Sequence, residues 1–194
     1  MKKIFFALCL LAAGCSSTSV MNSWKAPNAT YSPGEFKKVI VVAFAKDEKS
    51  RKTAEDQIVS YNKTFHASYP LFTSKQVMED SVKVKNMLKA EGYDAVLIMK
   101  LITTKANSKF VNAGVNQSYT QNGIFYYQDY VKGGGYATDM DYIVSTGFYS
   151  LKQDKLLWSG VTSSTNPKKI DRLVRAVSKE VAAKMREDKF IPGK

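Results

Sequence analysis

The sequence predicts a single α/β domain in which a β-α-β-α-β core precedes an antiparallel hairpin, giving a mixed sheet packed with three helices. Residues 38–45 and 93–103 are nearly unbroken apolar runs, which are typical of strands buried on both faces. The later runs 141–150 and 155–163 are separated by a short polar joint, which favours a hairpin. Helical patterns between the earlier strands indicate parallel strands with right-handed crossovers.

The first crossover is predicted to hold an amphipathic helix over about residues 51–63, where apolar residues recur at helical spacing. Ser50 or Thr53 is the expected N-cap of this helix, because a hydroxyl can accept from the first free backbone N–H groups. A short strand is predicted at residues 67–73. Pro70 lacks an N–H group, so this strand is expected at an edge of the sheet.

Two further helices carry start and stop signals. Asp80 or Ser81 is the expected cap of the second helix, and Gly92 suits the left-handed conformation that ends it. Asn166 is the expected cap of the last helix, with Pro167 as its first residue. The apolar face predicted for this last helix consists of Ile170, Leu173, Val174, Val177, Val181 and Met185.

The chain divides into three parts, and the third contains an insertion. Residues 1–14 are predicted to be a signal peptide, residues 15–35 a flexible lipid-anchored tether, and residues 36–188 the single domain. Within the domain, residues 106–138 form an insertion rich in tyrosine and glycine. Trp24 is too large and apolar for a typical linker residue, so we expect it to pack against the domain where the tether joins it.

The signal peptide carries a lipidation motif. Lys2 and Lys3 precede ten uncharged, mostly apolar residues, a stretch too short to cross a bilayer, which takes roughly 20 residues. Residues 11–15 (Leu-Ala-Ala-Gly-Cys) resemble the bacterial lipobox, a leucine-rich stretch that ends in Leu-Ala-Gly-Cys. They differ from it in one position, because Ala12 and not leucine lies three residues before the cysteine. The resemblance implies cleavage before Cys15, a diacylglycerol on its sulfur, and acylation of the new N-terminus by a fatty acid such as palmitate.

The net charge and the cysteine content limit the kinds of partner that we expect. The formal net charge is +12, and removal of Lys2 and Lys3 with the signal leaves +10. An exported protein rarely meets nucleic acid, so we expect no nucleic-acid partner and favour anionic lipid, glycan or another envelope component. A basic surface that is simply solvated is the competing interpretation. Cys9 leaves with the signal and Cys15 is acylated, so the mature chain has no free thiol.

Two groups of residues are candidate binding sites. Lys46 follows the first strand and Lys100 interrupts a later one, so an anionic ligand could bind there if those strands are neighbours. Tyrosine combines a large contact area with a hydrogen-bonding hydroxyl, and a protein or glycan surface in the insertion is the second candidate. Its tyrosines are Tyr119, Tyr126, Tyr127, Tyr130 and Tyr136.

The sequence favours no enzyme class, cofactor or metal. His66 is the single histidine, and it is expected to lie at the C-terminus of a helix rather than in a catalytic triad or zinc site. Asp139 and Asp141 would face the same side of a strand, where a carboxylate pair binds Ca²⁺ or shares a proton. No further ligand lies near them in sequence, so a solvated pair is the preferred interpretation.

Several short motifs, taken in order, resemble a family of bacterial lipoproteins that carry a domain of unknown function. They are Ser23-Trp24-Lys25 with Pro27, the run 36–42, Arg51 with Glu55-Asp56, the run 92–97 and the run 155–160. The resemblance implies a small α/β envelope domain and supplies no catalytic residues. The layout is also similar to that of accessory domains of curli-secretion and Tol-type lipoproteins, an analogy of fold that does not extend to function.

The sequence therefore predicts a lipid-anchored, non-catalytic envelope protein that binds or scaffolds another envelope component. A periplasmic domain that binds a small ligand or glycan is the alternative, and a hydrolase is the third. Ser16 after the cysteine resembles the sorting signal for the outer membrane, which predicts a domain facing the periplasm.

Overall fold

The structure is a computed structural model that describes residues 18–31, 35–107 and 139–192. The elements within these ranges are β1 (Thr18–Lys25), β2 (Val39–Phe44), α1 (Glu48–Val59), β3 (Phe65–Ala67), α2 (Ser74–Glu79), α3 (Ser81–Ala90), β4 (Ala95–Asn107), β5 (Asp139–Ser150), β6 (Lys155–Thr165) and α4 (Ile170–Glu187). The strands form one sheet in the order β1-β6-β5-β4-β2-β3. β2 is parallel to β3 and β4, and the other neighbours are antiparallel. The predicted mixed α/β domain is confirmed, with four helices described instead of three.

Helices cover both faces of the central strands. Along β2, Val39, Val41 and Ala43 join the core that α1 and α4 cover, and we call this side the α1/α4 face. Ile40 and Val42 alternate with them and pack against α2 and α3, which defines the α2/α3 face. Because both faces are buried, apolar residues occupy successive positions, and this explains the unbroken runs in the sequence.

The N-terminal strand corrects the predicted tether at residues 15–35. Thr18–Lys25 is strand β1, and it pairs antiparallel with β6. Its polar residues give little apolar pattern, because an edge strand is held by backbone hydrogen bonds and packs on one side only. Trp24, which was expected to pack against the domain, does so only in part, since 48% of this residue is exposed on the edge strand.

The starts of the first two helices depart from the prediction. α1 begins at Glu48, and its N-cap is Asp47, whose Oδ1 accepts from the Ser50 backbone N–H at 2.8 Å; neither Ser50 nor Thr53 is the cap. α2 was not expected, although Thr73 and Gln76 form a capping box at its start.

Other local signals hold in the structure. Asp80 caps α3, as predicted, and Gly92 follows that helix with a φ of 76°, the left-handed conformation that glycine adopts most easily. The edge strand predicted at residues 67–73 lies earlier, at Phe65–Ala67, and it does form the edge beside β2.

The last helix starts three residues later than predicted. α4 begins at Ile170, and Asn166 instead has a φ of 49° and closes the β5–β6 pairing. Its side-chain oxygen accepts from the Met140 backbone N–H at 2.7 Å, and its own N–H donates to the Met140 carbonyl. The predicted apolar face of α4 is confirmed, because the residues from Leu173 to Met185 that carry it are buried.

Asp188 joins three elements just after α4. Its Oδ2 accepts from Ser23 Oγ of β1 and from Trp158 Nε1 of β6, each at 2.9 Å. Its Oδ1 lies 3.1 Å from Lys184 Nζ. Burial opposes ionisation of the Asp188 carboxyl, but the hydrogen bonds from Trp158, Ser23 and Lys184 outweigh it and hold its pKa below the usual value.

The substitution Asp188→Asn is expected to lower the free energy of unfolding at pH 7 by about 1–2 kcal/mol, since charged hydrogen bonds are lost. A carboxyl with a depressed pKa stabilises the fold above its unfolded pKa, and that contribution disappears as the pH falls through the folded pKa. The difference between wild type and variant should therefore shrink below about pH 4. Urea unfolding at pH 7 and pH 3 measures it. The control is Glu187→Gln, which affects an exposed carboxyl; equal losses in both variants would contradict the role of Asp188.

Candidate functional site at the carboxyl end of the sheet

Seven helices and strands begin or finish at the same end of the sheet. The parallel strands β2 and β4 finish there, and we call it the carboxyl end. β5 begins there opposite the end of β4, since Asp139 pairs with Asn107. β6 ends there, and Thr18 at the start of β1 pairs with its Ser164. α1 and α4 both begin at this end. Open α/β sheets commonly bind ligands beyond the carboxyl ends of their parallel strands.

A cavity of about 570 Å³ lies on the α1/α4 face at this end. Its apolar walls come from the sheet and from both helices. Residues that line them include Ala43, Ala54, Met99, Leu101, Val144, Leu173, Val174 and Val177. The polar residues that line it are Lys46, Asp47, Ser50, Thr104 and Tyr142. Its size and its mainly apolar lining with a few polar groups are those of a small-molecule site.

The structure separates the two predicted lysines. β2 and β4 are neighbours, as the anion hypothesis required, and Lys46 lines the cavity. Lys100 pairs with Phe44 and lies between Met99 and Leu101, which both line the cavity. Successive strand residues point to opposite faces, so Lys100 belongs to the α2/α3 face. Burial lowers the pKa of its ammonium group. The two lysines therefore do not converge on one ligand.

The other predicted site residues fall into two groups. Cys15 and the five insertion tyrosines lie outside the described residues, so their roles remain predictions. His66 is not at a helix terminus as expected; it lies exposed on β3, with its ring 5.9 Å from that of Tyr93. Asp141 accepts a hydrogen bond from the Thr165 hydroxyl. In residues 18–31, 35–107 and 139–192, no three His, Cys, Asp or Glu side chains are grouped as a metal site requires.

A buried ionic network on α1 was missed by sequence reasoning. Glu55 and Arg51 are 0% and 1% exposed, and Arg51 Nε donates to Glu55 Oε1 at 2.9 Å. Glu55 Oε1 also accepts from the Ala43 N–H and the Ser68 hydroxyl, and its Oε2 accepts from the Ser68 and Tyr69 N–H groups. The network ties the end of β2 to the loop after β3.

Arg51 completes the network. One terminal nitrogen donates to Ser68 Oγ and to the Phe72 carbonyl, each at 2.8 Å, and the other contacts Glu48. The i, i+4 spacing of Arg51 and Glu55 was visible in the sequence, but such pairs usually lie on solvated helix faces. The described groups that donate to Glu55 belong to the backbone of the domain or to buried side chains of the same network. This indicates that the network has a structural role.

Exposed cations surround the carboxyl end. None of them forms an ion pair with another residue in the described part of the chain. They are Lys46, Lys49, Lys105, Lys168, Lys169 and Arg172. Among the nearby acids, Asp47 caps α1, and hydrogen bonds from Ser50, with a smaller effect of Lys46, lower its pKa.

The described helices include none that is both long enough and apolar enough to cross a membrane.

Comparison with models of protein families finds no match, and comparison with curated proteins finds none. Among solved structures, the chain is similar to the PelC dodecamer from Paraburkholderia phytofirmans, with 8% identity, a TM-score of 0.45, and coverage of 86% of this chain and 96% of PelC. It is also similar to lipoprotein GNA1162 from Neisseria meningitidis, with 13% identity, a TM-score of 0.36, and coverage of 75% of this chain and 98% of that one. At these scores the likeness carries no argument about function, and the predicted family resemblance remains a prediction.

Proposed function

We propose that this chain is a lipid-anchored, non-catalytic protein of the bacterial envelope that binds another envelope component. The observation that carries the proposal is the short distance in sequence between the predicted lipid site and the sheet. Cys15 precedes Thr18 by three residues, and Thr18 is already paired with Ser164 of β6. Three residues span at most about 11 Å. The anchor would therefore hold the domain directly at the membrane surface.

The absence of a long tether suits binding at the membrane rather than capture of distant partners. A flexible linker would let the domain explore a large volume, and a link of three residues restricts it to the layer beside the lipid headgroups. Ser16 after the cysteine supports an outer-membrane address that faces the periplasm. The polar groups Asp47 and Ser50 at the cavity are committed to the start of α1, which favours a binding role over catalysis.

Labelling with radioactive palmitate tests the anchor. The wild-type chain is expected to incorporate label and to fractionate with membranes. Cys15→Ser should incorporate none and should remain a larger precursor, because cleavage follows lipidation in this class of protein. Cys9→Ser is the matched control and should be labelled like wild type, since Cys9 leaves with the signal. An unlabelled wild-type chain, or a labelled C15S variant, would overturn the proposal.

A second function, binding of a small amphiphile, is favoured by the apolar cavity. Lauric acid at about 100 times its dissociation constant would stabilise the fold by about 2.7 kcal/mol, which raises the melting temperature of a domain of this size by about 5–10 °C. Ala54→Leu should abolish this shift, because Ala54 is buried and lines the cavity. Ala90→Leu, at an exposed position on α3, is the control. Equal shifts in both variants would exclude the cavity as the binding site.

A further inference from the structure

The attachment point fixes which end of the domain approaches the membrane. Strand β1 enters the sheet at Thr18, and its partner Ser164 lies near the end of β6. β5 begins and β4 ends at the same level, since Asp141 pairs with both Thr165 and Lys105. The carboxyl end is therefore the end of the domain that lies within three residues of Cys15. The amino end is the opposite end of the sheet, and it is separated from the carboxyl end by strands of up to 13 residues.

We infer that the carboxyl end faces the membrane and binds anionic lipid headgroups through its exposed basic residues. The inference rests on the proposed lipidation of Cys15 and adds an orientation and a chemical partner to it. The residues that would contact the headgroups are Lys46, Lys49, Lys105, Lys168, Lys169 and Arg172, all exposed.

Ion pairing distinguishes these cations from many at the amino end. There, Lys152 Nζ lies 2.7 Å from Asp94 Oδ1, and Lys184 Nζ lies 2.8 Å from Glu187 Oε1. Lys85 and Lys89 both contact Asp154. Charge alone does not select a face, because the chain as a whole is strongly basic. The anchor selects the carboxyl end, and the cations there are available for an external anion.

The fold does not need the positive charges of Lys168 and Lys169. They precede α4, whose N-cap Lys169 makes no side-chain capping bond. The N-terminal end of a helix carries partial positive charge, so cations there are unfavourable for folding. Neutralising both lysines should leave stability unchanged or slightly higher. A loss of lipid contact in that variant would then report binding and not unfolding.

The magnitude is large enough to measure. Each basic residue near an anionic membrane contributes about a five- to sixfold preference, so two contribute roughly thirtyfold. The effect is screened by salt, because the Debye length falls from about 10 Å at 0.1 M to 3 Å at 1 M. Binding to the headgroups should therefore weaken when the two lysines are neutralised, and it should also weaken when the salt concentration is raised.

Single-cysteine probes can measure the orientation, because the acylated mature chain has no other thiol. Lys49→Cys reports the carboxyl end and Lys63→Cys the amino end, and each removes one exposed lysine. Each lipidated variant is labelled with a fluorophore and placed in nanodiscs of phosphatidylcholine and phosphatidylglycerol that contain a lipid with a nitroxide headgroup. Quenching should be strong at K49C and weak at K63C. High salt, or discs of phosphatidylcholine alone, should reduce the difference.

The charge variants complete the test. K168Q/K169Q, added to K49C, should shift the orientation equilibrium about thirtyfold toward weak quenching. The matched pair K37Q/K155Q removes two exposed lysines at the amino end and should leave quenching unchanged. Equal quenching of both probes in anchored protein, or no response to K168Q/K169Q, would overturn the inference while the lipid anchor stands. Failure of the wild-type chain to carry palmitate or enter the discs would overturn the proposed function itself.

Discussion

Replacing Glu55 by glutamine is expected to lower the free energy of unfolding by about 3–5 kcal/mol, because it removes the buried partner of the Arg51 charge and leaves only the exposed Glu48 beside it. The change keeps the size of the side chain, so the loss reports chemistry and not a cavity. Glu55 accepts five hydrogen bonds from described residues and donates none. A glutamine has one acceptor oxygen, and its NH₂ group would face N–H donors in either orientation.

The matched control is Glu48→Gln, which affects the same arginine. The Glu48 side chain is 53% exposed and lies 3.2 Å from Arg51, so its loss should cost less than about 1 kcal/mol. Urea unfolding followed by circular dichroism measures both variants at pH 7. If E55Q were no less stable than E48Q, the network would not hold the end of β2 as described. A second variant, Ser68→Ala, should fall between them, because it removes one hydroxyl of the network.

The sequence predicted those parts of the fold whose buried residues form a pattern within a single helix or strand. β2, β4 and the apolar face of α4 each carry a pattern that repeats within one element, and each is buried where the pattern says. β1 carries no such pattern, because its partner β6 lies more than 130 residues away in sequence. Backbone pairing over that distance leaves little trace in the composition of β1, whereas β6 was predicted from its own run of strand-forming residues.

The sequence predicted the position of the candidate site in the fold, but it did not predict the face on which Lys100 lies or the cavity. Parallel strands place Lys46 near the carboxyl end of the sheet, as expected. The face of Lys100 depends on the register between β2 and β4, and a shift of one residue would move it to the other face. The cavity depends on how α1 and α4 pack together, which no single segment specifies.

Replacing Gly160 by alanine is expected to cost about 3 kcal/mol, because overpacking a buried site forces neighbours out of place. A Cβ atom there would lie under 3.0 Å from Trp158 Cη2, and at 3.0 and 3.1 Å from Cζ3 and Cζ2. The indole cannot yield readily, since Trp158 is fully buried and its Nε1 is bound to Asp188 at 2.9 Å. The ring thus occupies the space that glycine leaves open on β6.

A double-mutant cycle separates this clash from a general effect of losing glycine. Trp158→Phe removes the outer atoms of the indole's fused benzene ring, which meet the new methyl group. G160A should therefore cost less than about 1 kcal/mol in that background, and the two changes should be non-additive. Gly147→Ala is the control, because the nearest atom there is Tyr149 Cε2 at 2.9 Å, on a side chain that is partly exposed, unlike that of Trp158. Thermal unfolding with matched buffers measures all four proteins of the cycle. Equal costs of G160A in the two backgrounds would show that the indole does not determine the requirement for glycine on β6.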